Sequence, residues 1–250
     1  MLATEEKTTK ETFKIRYSEL DCTMTLKPVA LFQFLQDVAS DNAERLGFGY
    51  SYIIKNRLAW FLLKYRLEFT DYPENISSIE IETNPRGYNK LFAFRDFTIK
   101  DGNKTIGRVA STWGLINLDT KAMIPISQVL ENSPYMNQFV KNDSDLSYQK
   151  IKQLDRVDFE ASFKVRFDEL DVNQHANNAN YISWAIEPLD FKFRKANKIK
   201  TIDMIFKKEL KYGETILSQA ELIDSKSYHI VKNLNTNDEL CTVCIQWEKK

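Results

Sequence analysis

The sequence predicts an α+β chain in which one structural unit occurs twice, each copy a curled antiparallel sheet around a long helix. Three observations point there. The chain repeats itself: residues 13–21 read FKIRYSELD and residues 163–171 read FKVRFDELD, with Phe13/Phe163, Lys14/Lys164, Arg16/Arg166, Glu19/Glu169, Leu20/Leu170 and Asp21/Asp171 identical at an offset of 150. A repeat of this length marks two copies of a domain-sized unit, not a solenoid of short modules. Each copy then runs in the same order, an alternating strand, a helical stretch and a series of long strands, which is the order of an α+β layer. Finally, 250 residues at 43% hydrophobic and 12% aromatic are enough for two packed cores.

The elements follow from the pattern. Phe13, Ile15 and Tyr17 alternate with polar residues and lead into the first copy; Val157, Phe159, Ala161, Phe163, Val165 and Phe167 do so in the second. Pro28 sits near a helix start, where its missing N–H costs nothing. Leu31, Phe34, Leu35, Val38 and Leu46 recur at helical spacing until Gly47 and Gly49 end the run. The second copy's helix is expected from about Asn178 to Lys198, with Pro188 inside it as a kink or stop. Strands are expected at 58–70, 76–84, 91–100 and 104–118, with DGN at 101–103 as a hairpin turn, and at 201–211, 214–223, 226–234 and 239–248, with NTND at 235–238 as the turn. The domains divide as 1–136, a polar surface connector over 137–155, and 156–250.

Composition closes off several classes. Thirty-five basic and thirty-five acidic residues cancel, which speaks against general nucleic-acid binding. Three cysteines, Cys22, Cys241 and Cys244, imply no disulfide framework and suit a reducing compartment. Cys241-Thr-Val-Cys244 reads either as a redox pair or half a zinc site, or as two small apolar residues on opposite faces of a strand. No second Cys/His pair stands near it, and a structural zinc site needs four ligands. No apolar run reaches membrane-spanning length. The opening MLATEEKTTKETF has neither an apolar core nor an Arg-rich, acid-poor character, so no targeting segment is expected and the cytoplasm is the expected location.

The copies part after the shared Asp. Asp21 is followed by CTMTLKP and Asp171 by VNQHANN, so Asn173 and His175 stand opposite Thr23 and Thr25. If the segment stays extended, Asp171, Asn173 and His175 share one face. The helix start beyond them offers unpaired backbone N–H groups for an oxyanion, and its dipole favours a neutral imidazole. Alternatively, the same residues are an Asn/Asp-rich turn that caps a helix. The first copy builds its turn without Asn or His, which favours one furnished site per chain.

With these residues in view, the chain resembles the acyl-[acyl-carrier-protein] thioesterases of plant and bacterial type, two fused hot-dog domains. The family's D-x-N-x-H-x-N-N-x-x-Y segment is matched by Asp171, Asn173, His175, Asn177, Asn178 and Tyr181. Its Y-R-[KR]-E-C strand is matched by Phe206-Lys207-Lys208-Glu209-Leu210, so Glu209 takes the place of the catalytic Glu, while Leu210 replaces the Cys and removes a thiol nucleophile there. In the first half, TNPRGYNKLFAFRDFTI and GRVASTWGLINLDTKAMIPI resemble the family's first-domain strands. Read without the family, Glu209 is an ordinary strand carboxylate paired with Lys207 or Lys211, and the family correspondence reverses that reading.

The resemblance implies hydrolysis of fatty acyl-carrier-protein thioesters without cofactor or metal. Glu209 and His175 would activate water, Asn173 would position water or thioester, and Asp171 would orient its neighbours. Backbone N–H groups near Asn177 and Asn178 would hold the oxyanion. Glu209, between strand and helix, is expected to be buried, which would make it a stronger base. The first domain would supply scaffold and acyl pocket. The partner, acyl carrier protein, is acidic, and FKFRKANKIK offers Lys192, Arg194, Lys195, Lys198 and Lys200 with no acid among them as a docking surface. The same cations also suit a solvated helix end. The rival readings are a non-catalytic acyl-thioester sensor, an acyl-CoA thioesterase, and a dehydratase, whose D-x-N-P-x-H spacing this chain lacks. Monomer and homodimer are both compatible with the sequence.

Overall fold

A computed structural model describes residues 7–73, 78–130, 139, 144 and 146–250. The chain forms two compact units. One is built from the described residues of Met1–Arg16, Gln33–Leu63 and Thr70–Ser147, the other from Tyr17–Phe32, Lys64–Phe69 and Tyr148–Lys250. Both are α+β, as the pattern predicts.

In the first unit, β1 (Thr9–Lys14), β3 (Ser78–Tyr88), β4 (Phe92–Asp101) and β5 (Lys104–Asn117) lie side by side in that order, all antiparallel. β2 (Leu58–Phe69) opens in this unit and closes in the other. Burial alternates without a break along β3, so one face is core and one is not. Helix α1 (Pro28–Arg45) presents Phe34, Leu35, Val38 and Ala39 to the interior. Phe34 stacks on Phe13 of β1 at 4.5 Å between centroids. Asn42 is fully buried on the same helix and satisfied: it accepts from Arg95 Nη1 at 2.7 Å and donates to the Lys7 carbonyl at 2.8 Å. Gly47, at φ 85°, ends the helical run as expected.

Two short helices were not legible in the pattern, α2 (Tyr50–Lys55) and α3 (Ser127–Leu130). None of α2's side chains is buried, so it has no apolar stripe to read.

In the second unit the strand order is β7 (Asn197–Phe206), β10 (Glu239–Lys249), β9 (Lys226–Asn233), β8 (Thr215–Ile223) and β6 (Phe159–Lys164), again antiparallel. Lys64–Glu68 of β2 pair with the other side of β7. The helix expected over 178–198 is two helices, α4 (Asn180–Ile186) and α5 (Phe191–Ala196). Pro188 breaks it, because it has no N–H to give and its ring obstructs the carbonyl a turn earlier. The Asp190 side chain restarts the helix by accepting from the Phe193 N–H at 3.0 Å. α4 packs against β8, β9 and β10 and buries Tyr181, Ile182, Trp184, Ala185 and Ile186.

The connector expected at 137–155 lies outside the described residues before Leu146, apart from Phe139 and Ser144. Its remainder is pinned. The Gln149 N–H donates to Asp203 Oδ1 at 3.0 Å, and Lys152 reaches the buried Glu221 carboxylate at 2.7 Å. Asp203 is held in turn by Arg66 of β2. Polar composition here marks a strap with buried ionic anchors.

His229, the second histidine, is a core residue on β9. Its Nε2 lies 2.7 Å from Ser227 Oγ, and burial pushes its pKa down to about 4, so it is neutral at ordinary pH.

Candidate active site

The two copies of the repeat make the same turn. Each begins with one turn of 3-10 helix, Tyr17–Glu19 and Phe167–Glu169. The Asp21 N–H donates to the Thr25 carbonyl at 2.8 Å, and the Asp171 N–H to the His175 carbonyl at 2.7 Å. Met24 at φ 62° and Gln174 at φ 65° take the left-handed corner. Asp21 Oδ1 accepts from the backbone of Thr23 (2.8 Å) and Thr25 (3.0 Å); Asp171 Oδ1 accepts from that of Asn173 (2.8 Å) and His175 (3.2 Å). The aspartate builds the turn in both copies. The extended face expected for Asp171, Asn173 and His175 is therefore absent, because the carboxylate folds the segment onto itself.

The side chains on this frame differ. In the first copy Thr23 and Thr25 bond to each other at 3.1 Å, and Thr23 Oγ1 donates to Asp21 at 2.7 Å. In the second, His175 looks outward and its Nδ1 lies 3.1 Å from Glu209 Oε2. Two residues 34 apart in the chain thus form one carboxylate–imidazole pair. Neither side chain is sealed: His175 is 31% exposed and Glu209 47%. The burial expected for Glu209 is absent.

Glu209 also lies beyond the strand expected to carry it. β7 stops at Phe206, where the N–H groups of Lys207 and Lys208 converge on the single carbonyl of Leu240 (2.8 and 3.4 Å) and end the ladder. The following segment docks on the His175 turn: the Ala176 N–H donates to the Leu210 carbonyl at 2.8 Å, and His175 pairs with Lys211 as an isolated bridge. Gly213, at φ 78°, turns the chain toward β8. Glu214 fastens this turn from below, accepting from the Lys211 N–H (2.5 Å) and the Asn233 amide (2.9 Å). Of the two lysines the sequence offers Glu209, Lys207 pairs with Glu239 instead, and Lys211 forms no ion pair with Glu209 among the described residues.

The remaining predicted residues divide. Asn173 is exposed on the turn. The Asn177 N–H is committed to the Glu169 carbonyl at 2.8 Å, so it is not available to an oxyanion, and its side chain accepts from the Ala179 N–H at 2.8 Å. The Asn178 N–H, in contrast, has no acceptor within the described residues. Glu169, passed over in the sequence as part of the repeat, anchors this end of α4. Its carbonyl takes the Asn177 N–H and the Asn180 amide (2.9 Å), and its carboxylate takes Arg166 Nη2 (2.6 Å) and Trp184 Nε1 (3.2 Å). Burial alone would raise the Glu169 pKa, but the hydrogen bonds from Arg166 and Trp184 hold it below the usual value.

The basic segment is less free than its sequence implies. Acids from elsewhere reach it: Arg194 pairs with Glu187 at 3.3 Å, and Lys198 and Lys200 both pair with Glu248, at 3.1 and 3.5 Å. Lys192 and Lys195 are exposed on α5 without an ion-pair partner among the described residues.

The cysteines are three free thiols. Burial pushes Cys241 far above the ordinary thiol range and Cys244 up to about 11, so neither is a thiolate at neutral pH. Cys22 is exposed in the first copy's turn, away from the His175–Glu209 pair in sequence position and on the unfurnished copy. Iodoacetamide is therefore expected to label Cys22 in the native protein and leave enzymatic turnover intact, as read by peptide mass spectrometry beside an activity assay. Inactivation that tracks labelling of Cys241 or Cys244 would contradict this. Among the described residues no group of three or more His, Cys, Asp or Glu is placed to hold a metal ion, and no helix is long and apolar enough to cross a membrane.

Two α+β units, each an antiparallel sheet with helix packed on it, have the build of the hot-dog fold, and one of them bears the open carboxylate–imidazole pair. Comparison with known proteins narrows the class. Residues 6–132 match the family described as Acyl-ACP thioesterase N-terminal domain, and residues 152–249 the Acyl-ACP thioesterase C-terminal domain. The chain belongs to the acyl-ACP thioesterase family and is a thioester hydrolase. It is 25% identical to the chloroplastic oleoyl-acyl carrier protein thioesterase 2 of Arabidopsis thaliana, over 96% of this chain and 77% of that protein. Its fold matches the acyl-ACP thioesterase structure from Bacteroides thetaiotaomicron with a TM-score of 0.86 at 20% identity, covering 97% of this chain and 98% of that one. The 12:0-ACP thioesterase from Umbellularia californica gives 0.87 at 21%, covering 98% of each.

Proposed function

We propose that the protein hydrolyses fatty acyl-carrier-protein thioesters to free fatty acid and carrier thiol, by water attack assisted by His175 and Glu209. The observation that carries this reading is the 3.1 Å contact between His175 Nδ1 and Glu209 Oε2 in the one copy of the repeat that holds both groups. An ionised carboxylate only accepts, so Nδ1 carries the proton and Nε2 presents a lone pair. His175 Nε2 then removes a proton from water as the oxygen adds to the thioester carbonyl. Glu209 fixes the tautomer and stabilises the imidazolium. When the tetrahedral intermediate collapses, the C–S bond breaks and the same proton returns from Nε2 to the departing thiolate. The free Asn178 N–H and the Asn173 amide are the donors assigned to the oxyanion and the attacking water. Asp171 acts through the turn it builds.

The first half, 1–136, serves as scaffold and acyl pocket, with 137–155 joining it to the catalytic half, 156–250. A cytoplasmic setting suits three free thiols. The acidic carrier docks at the α5 surface, chiefly through Lys192 and Lys195, the cations there without acidic partners among the described residues. Reversing both charges is expected to raise KM for an acyl-carrier-protein substrate by roughly fivefold at low salt while leaving KM for the matching acyl-CoA unchanged. Equal effects on both substrates would remove this surface from carrier recognition. Faster hydrolysis of acyl-CoA than of the carrier thioester would make the enzyme an acyl-CoA thioesterase.

A further inference from the structure

We propose that Tyr181 is a positioning residue for Glu209, its hydroxyl clamping the peptide unit that leads into that residue to helix α4. The inference rests on the catalytic reading above and adds to it a reason why an exposed glutamate stays aimed.

Glu209 needs such a device. It stands beyond the end of β7, in a segment whose ladder contact among the described residues is the isolated His175–Lys211 bridge, and its side chain is 47% exposed. The fixed points around it are therefore what decide where its carboxylate sits. Tyr181 Oη donates to the Lys208 carbonyl at 3.3 Å. The hydroxyl thus holds the carbonyl of the peptide unit that leads into Glu209. The ring is held as firmly as the tip. Tyr181 is 1% exposed, meets Phe206 edge-on at 5.6 Å and packs on Trp184 at 4.9 Å. Leu210 itself is fully buried, and its carbonyl takes the Ala176 N–H. The residues on either side of Glu209 are tied to α4, at the Lys208 carbonyl, and to the His175 turn, at the Leu210 carbonyl. Burial drives the phenol pKa well above its ordinary range, so the hydroxyl keeps its proton and remains a donor.

The repeat supplies an internal comparison. At the offset of 150, the first copy has Leu31 where the second has Tyr181, and Leu31 is equally buried, at 3%. The fold accepts an aliphatic side chain at this place, so the hydroxyl is not needed to build the helix. It appears in the copy that has a His175–Glu209 pair to align. A catalytic group displaced by about 1 Å can cost up to about a hundredfold in rate, which gives a clamp of this kind a measurable value.

The test is Tyr181→Phe, which removes one oxygen and keeps the ring. On an acyl-carrier-protein substrate, kcat is expected to fall roughly tenfold with KM within about twofold of wild type, and Tm is expected to stay within about 5 °C. In the Glu209→Ala background the same change is expected to have no further effect on the residual rate, because there is no carboxylate left to aim. Wild-type kcat in Tyr181→Phe would overturn the proposal, as would an equal loss with and without Glu209, which marks a general structural role. Wild-type hydrolysis by Glu209→Ala alone would overturn the catalytic reading and this proposal with it, whereas a dead Glu209→Ala beside a fully active Tyr181→Phe would overturn this proposal only.

Discussion

Glu209→Ala is expected to lower kcat/KM for acyl-carrier-protein hydrolysis by about 10²–10⁴-fold without loss of acyl-carrier-protein binding. The side chain lies at the surface, so truncating it opens no cavity, and its loss should leave Tm within a few degrees of wild type. What it removes is the partner that orients His175 and the charge that stabilises the imidazolium. Glu209→Gln separates these roles. The amide can accept from Nδ1–H at the same place but carries no charge, so it is expected to recover part of the loss and not the whole. The measurement is steady-state kinetics of fatty acid release, with binding followed separately by titration of labelled acyl carrier protein. A variant that keeps wild-type kcat/KM would show that the 3.1 Å pair is a surface ion pair without a catalytic role.

His175→Ala is expected to fall by a similar factor, and the double variant with Glu209→Ala by little more than either alone. Groups that act as one unit cannot be lost twice, so their effects do not add. If the double variant instead loses the product of the two single factors, the residues act at separate steps, and the transfer of a proton through Nε2 with Glu209 behind it is wrong. Asp171→Ala serves as a control of a different kind. It removes the acceptor for two backbone N–H groups and should reduce activity through the turn, together with stability.

Much of the architecture was legible because it was written twice. The repeat at 13–21 and 163–171 pointed to two units before any strand was considered, although residues 17–32 and 64–69 group with the second, and most long strands lie within a few residues of their expected limits, β3 with alternating burial, whereas that expected over 201–211 runs over Asn197–Phe206. The site residues were legible through contrast: the same turn is built with Thr23 and Thr25 in one copy and with Asn173 and His175 in the other. What escaped the pattern depended on contacts distant in sequence. The turn at Asp171 folds back because a carboxylate captures two backbone N–H groups, which alternation of residue types does not reveal. Glu209 is exposed because the β7 ladder fails at a single carbonyl of a strand some thirty residues later. The basic segment lost its free charge to Glu187 and Glu248, the second of which follows it by about fifty residues. Pro188 gave its warning locally, yet where the helix restarts was decided by Asp190 as a cap.

The most direct measurement is a single turnover of acyl-carrier-protein thioester in ¹⁸O-labelled water, by wild type and Glu209→Ala side by side, across medium and long chains. The account predicts that wild type releases fatty acid carrying one solvent oxygen, leaves no label or acyl group on the protein, and that Glu209→Ala releases almost none in the same time. Binding of the carrier thioester with no release at any chain length would make the protein an acyl-thioester sensor, and release by Glu209→Ala at the wild-type rate would remove the His175–Glu209 pair from the chemistry.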